Sequence, residues 1–120
     1  MEKEFATYEQ ASALKELGFD ESCFATYDED KEFEIQDFEQ TYDTFPSHII
    51  AAPLKQQAFR WFREKYGYYY QIGNSGDNTK FLMLRDSEMS IVWNDKGFNT
   101  YEEAELECLK KLIEIVKEKQ

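Results

Sequence analysis

The segment TYEEAELECLKKLIEIVKEKQ, residues 100–120, decides the predicted fold because it holds too many apolar positions for an ordinary surface helix. Thr100 and Glu103 have the spacing of a capping box, in which each side chain bonds to a backbone N–H at the helix start. The apolar positions that follow are Ala104, Cys108, Leu109, Leu112, Ile113, Ile115 and Val116. On a helix they cover an arc wider than the usual apolar stripe. The arc predicts a central helix that buries a sheet, or else a helix that meets a second chain in a homodimer.

Two further segments have helical patterns. TYEQASALKELG (7–18) starts with a second capping box and ends in glycine, which predicts a helix over residues 8–17. PLKQQAFRWFREKYG (53–67) starts with proline and ends in glycine, which predicts another helix with Pro53 in its first position. Its aromatic residues are interpreted as core rather than as bases for RNA stacking, because they fall at helical spacing. Whether Arg60 and Arg63 pair within the chain or bind a ligand stays open at this point.

The remaining regular segments have the patterns of strands. CFATY (23–27) and EFEI (32–35) flank a turn-like Asp-Glu-Asp-Lys, which predicts a β-hairpin whose alternation breaks near Asp37. In this hairpin Glu32 and Glu34 share one face, and Phe33 and Ile35 share the other. Further strands are predicted at 68–72, 80–84 and 90–93, with a loop over 73–78 and a connection over 39–52. The sequence therefore predicts a single α+β domain over residues 1–120. Its order is α-β-β-α-β-β-(β)-α, with four or five short antiparallel strands against about three helices.

The net charge of −11 is concentrated in one part of the chain. Residues 20–43 hold ten acids and one lysine, a net charge of −9, so the other residues sum to −2. A clustered negative field attracts a basic partner and repels polyanions, so direct binding to nucleic acid or to an anionic membrane is not expected. The expected partner is a basic host protein or ribonucleoprotein. The candidate contact residues are Asp28, Glu29, Asp30, Glu32, Glu34, Asp37 and Glu39, together with Tyr69 as an aromatic anchor.

The sequence offers little that catalysis or metal binding requires. His48 is the only histidine, and no nucleophile motif accompanies it. Cys23 and Cys108 lie too far apart for zinc-ligand spacing. Acids over residues 28–39 echo a calcium loop, but Phe33 stands where the sharp turn needs glycine. We therefore expect a protein that is not an enzyme and that has no cofactor and no metal site.

Three segments resemble parts of small bacteriophage and prophage proteins of unassigned activity. They are MEKEFATYEQASALKELGFDE (1–21), AAPLKQQAFRWFREKYG (51–67) and TYEEAELECLKKLIEIVK (100–117). The resemblance implies a phage or prophage accessory gene whose product acts in the bacterial cytoplasm, and it carries no catalytic residue. The start of the chain also lacks the apolar run of a signal peptide, which agrees with a cytoplasmic protein.

Phage accessory genes often encode inhibitors of host defence, so the resemblance implies a counter-defence inhibitor, for example of an RNA-guided CRISPR effector. On this hypothesis the acidic surface acts as a nucleic-acid mimic. The alternative is a phage accessory or assembly protein with structural contacts, including a homodimer through the C-terminal helix.

Overall fold

A computed structural model of the protein describes residues 2–40 and 49–119, without the side chains of residues 36–40. The chain divides into two compact units, Met1–Ala58 and Phe59–Gln120. The described residues form three α-helices and six strands, and the strands make two three-stranded antiparallel sheets. The predicted α+β class is confirmed, although there are six strands rather than four or five, and two sheets rather than one. The single domain over residues 1–120 stays a prediction.

The first unit begins with a short 3₁₀ turn and a capped helix. Its elements are the turn Glu2–Glu4, α1 (Tyr8–Glu16), β1 (Cys23–Tyr27), β2 (Phe33–Gln40) and β3 (Ile50–Ala52). The capping box of α1 is complete: Gln10 N donates to Thr7 Oγ1 at 3.2 Å, and Thr7 N donates to Gln10 Oε1 at 3.1 Å. Gly18 follows the helix with a φ of +98°, a left-handed conformation that favours glycine. The predicted helix over residues 8–17 is therefore confirmed to within one residue.

The first sheet has the order β2-β1-β3, with β1 in its centre. Strand β3 falls where the sequence predicted only a connection. Its three residues are too few to show alternation, and it forms because Ile50 and Ala52 pair with Tyr27 and Ala25 of β1. Strand β2 runs past the predicted break at Asp37 to Gln40, and its register with β1 shifts between Cys23 and Ala25. The irregularity predicted in this region is confirmed as a shift of register, because Cys23 pairs with Gln40 while Ala25 pairs with Ile35.

The second unit pairs a sheet with the C-terminal helix. Helix α2 (Lys55–Tyr66) begins in the first unit and ends in the second, and it is followed by β4 (Tyr69–Asn74), β5 (Lys80–Arg85), β6 (Ile91–Phe98) and α3 (Tyr101–Lys119). The sheet has the order β4-β5-β6, and α3 packs against all three strands. Strand β4 includes Gly73 and Asn74, which were predicted in a loop. Glycine there accommodates a close approach, because a Cβ at Gly73 would lie 2.6 Å from the Phe81 ring.

The central role predicted for α3 is confirmed by burial. Ala104, Cys108, Leu109, Leu112, Ile113 and Val116 are all buried within the chain. Among the apolar side chains of this helix, Leu106 is exposed. A homodimer through α3 stays a prediction, and it would have to use residues outside the buried arc.

Helix α2 confirms that its aromatic residues are core, because Phe59, Trp61 and Phe62 are buried. Its start differs from the prediction: the helix begins at Lys55, and the Leu54 carbonyl accepts the first helical bond from Ala58 N. Pro53 therefore precedes the helix rather than opening it. The reason is that the Pro53 carbonyl accepts a bond from Ala6 N, which holds this residue against the N-terminal segment.

Candidate functional site

The turn between β1 and β2 is closed by the backbone and by one carboxylate. Asp28 N donates to Glu32 O at 3.1 Å, and Lys31 N donates to Asp28 O at 2.9 Å. Asp28 Oδ1 accepts bonds from Asp30 N and Glu32 N, at 2.8 and 2.9 Å. Lys31 completes this three-residue loop with a φ of +64°. Asp28 therefore holds the turn together, a structural role beyond the partner contact that the sequence predicted for it.

The other predicted contact residues of the hairpin are solvent-facing wherever the structure describes them. Glu29, Asp30, Glu32 and Glu34 are exposed. Asp37 and Glu39 belong to β2, but their side chains lie outside the described residues. The Lys31 ammonium lies 5.1 Å from the centre of the Tyr8 ring, so the one basic side chain of the turn is directed toward an aromatic face. The tip of the hairpin is therefore a cluster of exposed carboxylates.

Two large apolar side chains of the same hairpin are also exposed, which the sequence did not indicate. Phe33 packs as predicted, with its ring centre 5.1 Å from that of Phe5 and 5.5 Å from that of Tyr27. Ile35 was predicted on the same apolar face but is 48% exposed, and Phe24 is 46% exposed. Ile35 is opposite Ala25 in the register, so Phe24, one residue earlier in the strand, points to the other face. The hairpin thus presents one apolar side chain on each face, beside its acids.

Both ends of β1 are anchored by hydrogen bonds. The Tyr27 hydroxyl donates to Ala6 O at 2.8 Å. Burial raises the pKa of Tyr27, and the nearby carboxylates of Glu2 and Glu9 raise it further. At the start of β1, Gln57 Nε2 donates to the carbonyl of Ser22, the residue before the strand, at 2.9 Å. The exposed turn therefore follows a strand that is held at both of its ends.

Tyr69, the predicted aromatic anchor, lies on β4 in the second unit, apart from the acidic hairpin in the sequence. Its side chain is 39% exposed, whereas Tyr68 is buried. Tyr69 is therefore accessible at the surface, as an aromatic anchor has to be. The structure brings the hairpin acids together in the first unit, and Tyr69 belongs to β4 of the second unit.

A group of titratable side chains in the second unit surrounds Cys108, and sequence reasoning assigned only the cysteine. Tyr101 bonds to Tyr70 and lies near Glu105, and burial, followed by these neighbours, raises the pKa of Tyr101. Burial and then Glu105 raise the pKa of the Cys108 thiol. A thiol held neutral in this way is a poor nucleophile and a poor metal ligand, which suits a packing role.

The remaining chemical candidates add no further site in the described part of the chain. Its His, Cys, Asp and Glu side chains do not group into sets of three or more that could hold a metal ion. Residues 28–39 form a turn and a strand, whereas a calcium loop of the EF-hand kind joins two helices. His48 lies outside the described residues.

Comparisons with protein families, with characterised proteins and with solved structures found no match to this chain. Over residues 2–40 and 49–119, no helix is both long enough and apolar enough to cross a bilayer.

Proposed function

We propose that the protein is a non-enzymatic, acidic binding protein whose β1–β2 hairpin engages a basic surface of another protein. The observation that carries this proposal is the combination of exposed carboxylates and exposed apolar side chains on one anchored hairpin. Carboxylates form strong charge-assisted hydrogen bonds with lysine and arginine. Buried apolar anchors supply much of the energy of protein interfaces, and Phe24 and Ile35 are available for that purpose.

The distribution of charge between the two units supports this assignment. Residues 1–58 hold fourteen acidic and four basic side chains, a net charge of −10. Residues 59–120 hold eleven acidic and ten basic side chains, a net charge of −1. The negative field therefore originates in the unit that carries the hairpin, where it would accelerate encounter with a basic partner.

The partner of the proposed contact is a basic host protein or a ribonucleoprotein, whose lysines and arginines would otherwise hold phosphates. A row of carboxylates on a rigid hairpin can occupy such side chains as a nucleic acid does. The resemblance to phage and prophage proteins extends the proposal to a counter-defence inhibitor acting in the bacterial cytoplasm, for example on an RNA-guided CRISPR effector. The second candidate, a phage accessory or assembly protein with structural contacts, rests on the same resemblance.

The test compares two matched sets of neutralising substitutions in an immobilised protein. The hairpin set is Glu29→Gln, Asp30→Asn, Glu32→Gln and Glu34→Gln, and it leaves Asp28 to close the turn. The control set removes the same charge from exposed acids of the second unit: Glu64→Gln, Glu88→Gln, Glu102→Gln and Glu118→Gln. Both sets should keep the thermal stability of the wild type, because exposed acids contribute little to it.

The readout is the recovery of basic nucleic-acid-binding proteins from bacterial lysate, with and without competing heparin. We expect the wild type and the control set to recover the same protein in similar amounts. The hairpin set should recover at least about tenfold less of it. Heparin and high salt should release it, since exposed charges are screened within about 10 Å. Equal loss from both sets would show that net charge acts at a distance. Loss only on Phe24→Ser and Ile35→Ser would show that the acids are not the contact.

A further inference from the structure

The second sheet has an outer face that is not covered by α3. Helix α3 covers the face of Leu82 and Leu84, which are fully buried, and its Lys111 ammonium lies 5.6 Å from the centre of the Trp93 ring on that face. Paired residues of neighbouring antiparallel strands lie on the same face of a sheet. The register therefore gives the residues of the outer face, on the side of the sheet opposite to α3. Its three rows are Tyr69–Arg85–Ile91, Gln71–Met83–Asn94 and Gly73–Phe81–Lys96.

This outer face differs in composition from the rest of this acidic chain. Its nine positions include two cations, Arg85 and Lys96, and no carboxylate. Tyr69 and Ile91 are 39% and 48% exposed. Tyrosine, methionine and arginine are enriched in protein interfaces, where aspartate and glutamate are depleted. The face therefore has the composition of a contact surface for an acidic protein segment.

Two of its side chains are held in fixed positions. The Arg85 guanidinium donates to Met89 O and to Met83 Sδ, each at 3.0 Å, so its charge is directed along the face. The Phe81 ring lies over Gly73, where a Cβ would approach it to 2.6 Å. A surface whose cation and aromatic ring are already ordered loses less side-chain entropy when it binds.

We propose that this outer face binds the β1–β2 hairpin of a second copy of the chain, and that two such contacts form reciprocally in a twofold dimer. Residues 28–34 hold five acids and one lysine, a net charge of −4, against +2 on the outer face. Each face of the hairpin also exposes one apolar side chain, Phe24 or Ile35, and the sheet exposes Tyr69 and Ile91. The two surfaces are therefore complementary in both charge and apolar character.

The area of the outer face favours the reciprocal arrangement. Three strands of five residues cover about 14 Å by 17 Å, or roughly 240 Å². One hairpin on one face would bury about 500 Å² over both partners, which is too little for a specific complex, whereas two contacts bury about 1,000 Å². A twofold dimer supplies both contacts with one kind of interface.

A second copy fits this face better than a nucleic acid does. Phosphates would meet only the two cations of the face, whereas the hairpin of a second copy brings an apolar side chain as well as its acids. A second copy brings a localised acidic segment that can approach through its own tip. The dimer is independent of the proposed function, although it would compete with it because both use the hairpin.

The test uses two charge-reversed variants that should fail alone and succeed together. The hairpin variant carries Asp30→Lys, Glu32→Lys and Glu34→Lys, which changes residues 28–34 from −4 to +2. The face variant carries Gln71→Glu, Asn94→Glu and Lys96→Glu, which changes the outer face from +2 to −2. All six positions are exposed, so both variants should keep the circular dichroism spectrum and melting temperature of the wild type within a few degrees.

The measurement is sedimentation equilibrium of each protein over about 5 to 500 µM at low and high salt, a range suited to an interface of this size. The wild type should dimerise at low salt, and each variant alone should dimerise at least about tenfold more weakly. An equimolar mixture should restore the dimer, because the +2 hairpin meets the −2 face while the −4 hairpin meets the +2 face.

Three outcomes would overturn the inference. If the wild type stays monomeric throughout, the outer face does not bind a second copy, and its ligand would be another molecule, such as an unrelated protein or a nucleic acid. Variants that dimerise as well as the wild type move the interface elsewhere, for example to Leu106 of α3. If the equimolar mixture stays monomeric, the hairpin and the outer face do not bind each other. None of these results changes the recovery of a basic partner by the hairpin, so the proposed function is tested separately.

Discussion

Met89 has a left-handed backbone conformation, which costs free energy for a residue with a Cβ. A single substitution to glycine removes that cost. It ends the three-residue turn between β5 and β6 with a φ of +65°. Met89 N donates to Asp86 O, and Asp86 Oδ1 accepts bonds from Glu88 N and Ser90 N. This is the same turn as Asp28–Glu32 in the acidic hairpin, so a result at Met89 also bears on the candidate site.

The expected effect of Met89→Gly follows from two opposing terms. A residue with a Cβ in the left-handed region costs about 1–2 kcal/mol, and glycine removes that cost. Glycine adds about 0.5–1 kcal/mol of backbone entropy in the unfolded chain. The side chain is 54% exposed, so its loss removes little packing. We expect a net stabilisation of about 0.5 kcal/mol, or a rise in melting temperature of roughly 2 °C.

The assay is urea unfolding at 25 °C followed by circular dichroism. The matched control is Glu88→Gly, one residue earlier in the turn, where φ is not positive and glycine should destabilise by about 0.5–1 kcal/mol. Lys31→Gly, in the equivalent turn, should stabilise as Met89→Gly does. If Met89→Gly and Glu88→Gly destabilise equally, the left-handed turn residue is not a source of strain and the reasoning fails.

Three further predictions test the N-cap of α3, the buried Tyr27 and the thiol of Cys108. Thr100→Ala should lower the free energy of unfolding by about 1 kcal/mol, because Thr100 Oγ1 accepts a hydrogen bond from the Glu103 backbone N–H at 3.1 Å. The loss should exceed that of Ser90→Ala in urea unfolding. Equal losses would mean that α3 starts elsewhere. In the folded protein the pKa of Tyr27 is raised above the ordinary 10.0. Its contribution to the free energy of unfolding is therefore complete below pH 10.0, and it is lost as the pH rises through the pKa of the folded state. Tyr27→Phe should therefore cost about 1 kcal/mol at neutral pH, and the difference should shrink in urea unfolding above pH 10.0. Cys108 should react with a disulfide reagent only on unfolding, since burial and Glu105 raise the pKa of its thiol; prompt labelling of the native protein would contradict this.

The accuracy of the sequence predictions varies with how local each interaction is. The capping box of α1 was predicted because Thr7 and Gln10 bond across three residues, whatever the rest of the chain does. Strand β3 was missed because its three residues have no pattern of their own and form a strand only by pairing with β1. The predicted single sheet is two sheets, because tertiary contacts, and not the pattern within each strand, decide which strands pair.

The candidate site was predicted in its charge but not in its apolar character. The carboxylates around Asp30 follow from composition, since exposed acids need no partner within the chain to remain on the surface. Ile35 alternates with Glu34 and was therefore expected to be buried. Ile35 is nevertheless 48% exposed, whereas Phe33, two residues earlier, packs against the Phe5 ring of the N-terminal segment.

The sequence alone determined the α+β class, the capping box of α1 and the concentration of negative charge in residues 20–43, because each depends on neighbouring residues or on composition. The tertiary structure decided which apolar side chains of the hairpin stay exposed, and it grouped Tyr69, Arg85 and Lys96 on one uncovered face. These features arise from strand register and from what α3 and the N-terminal segment cover. Both are set by contacts between residues distant in the chain, which no local pattern encodes.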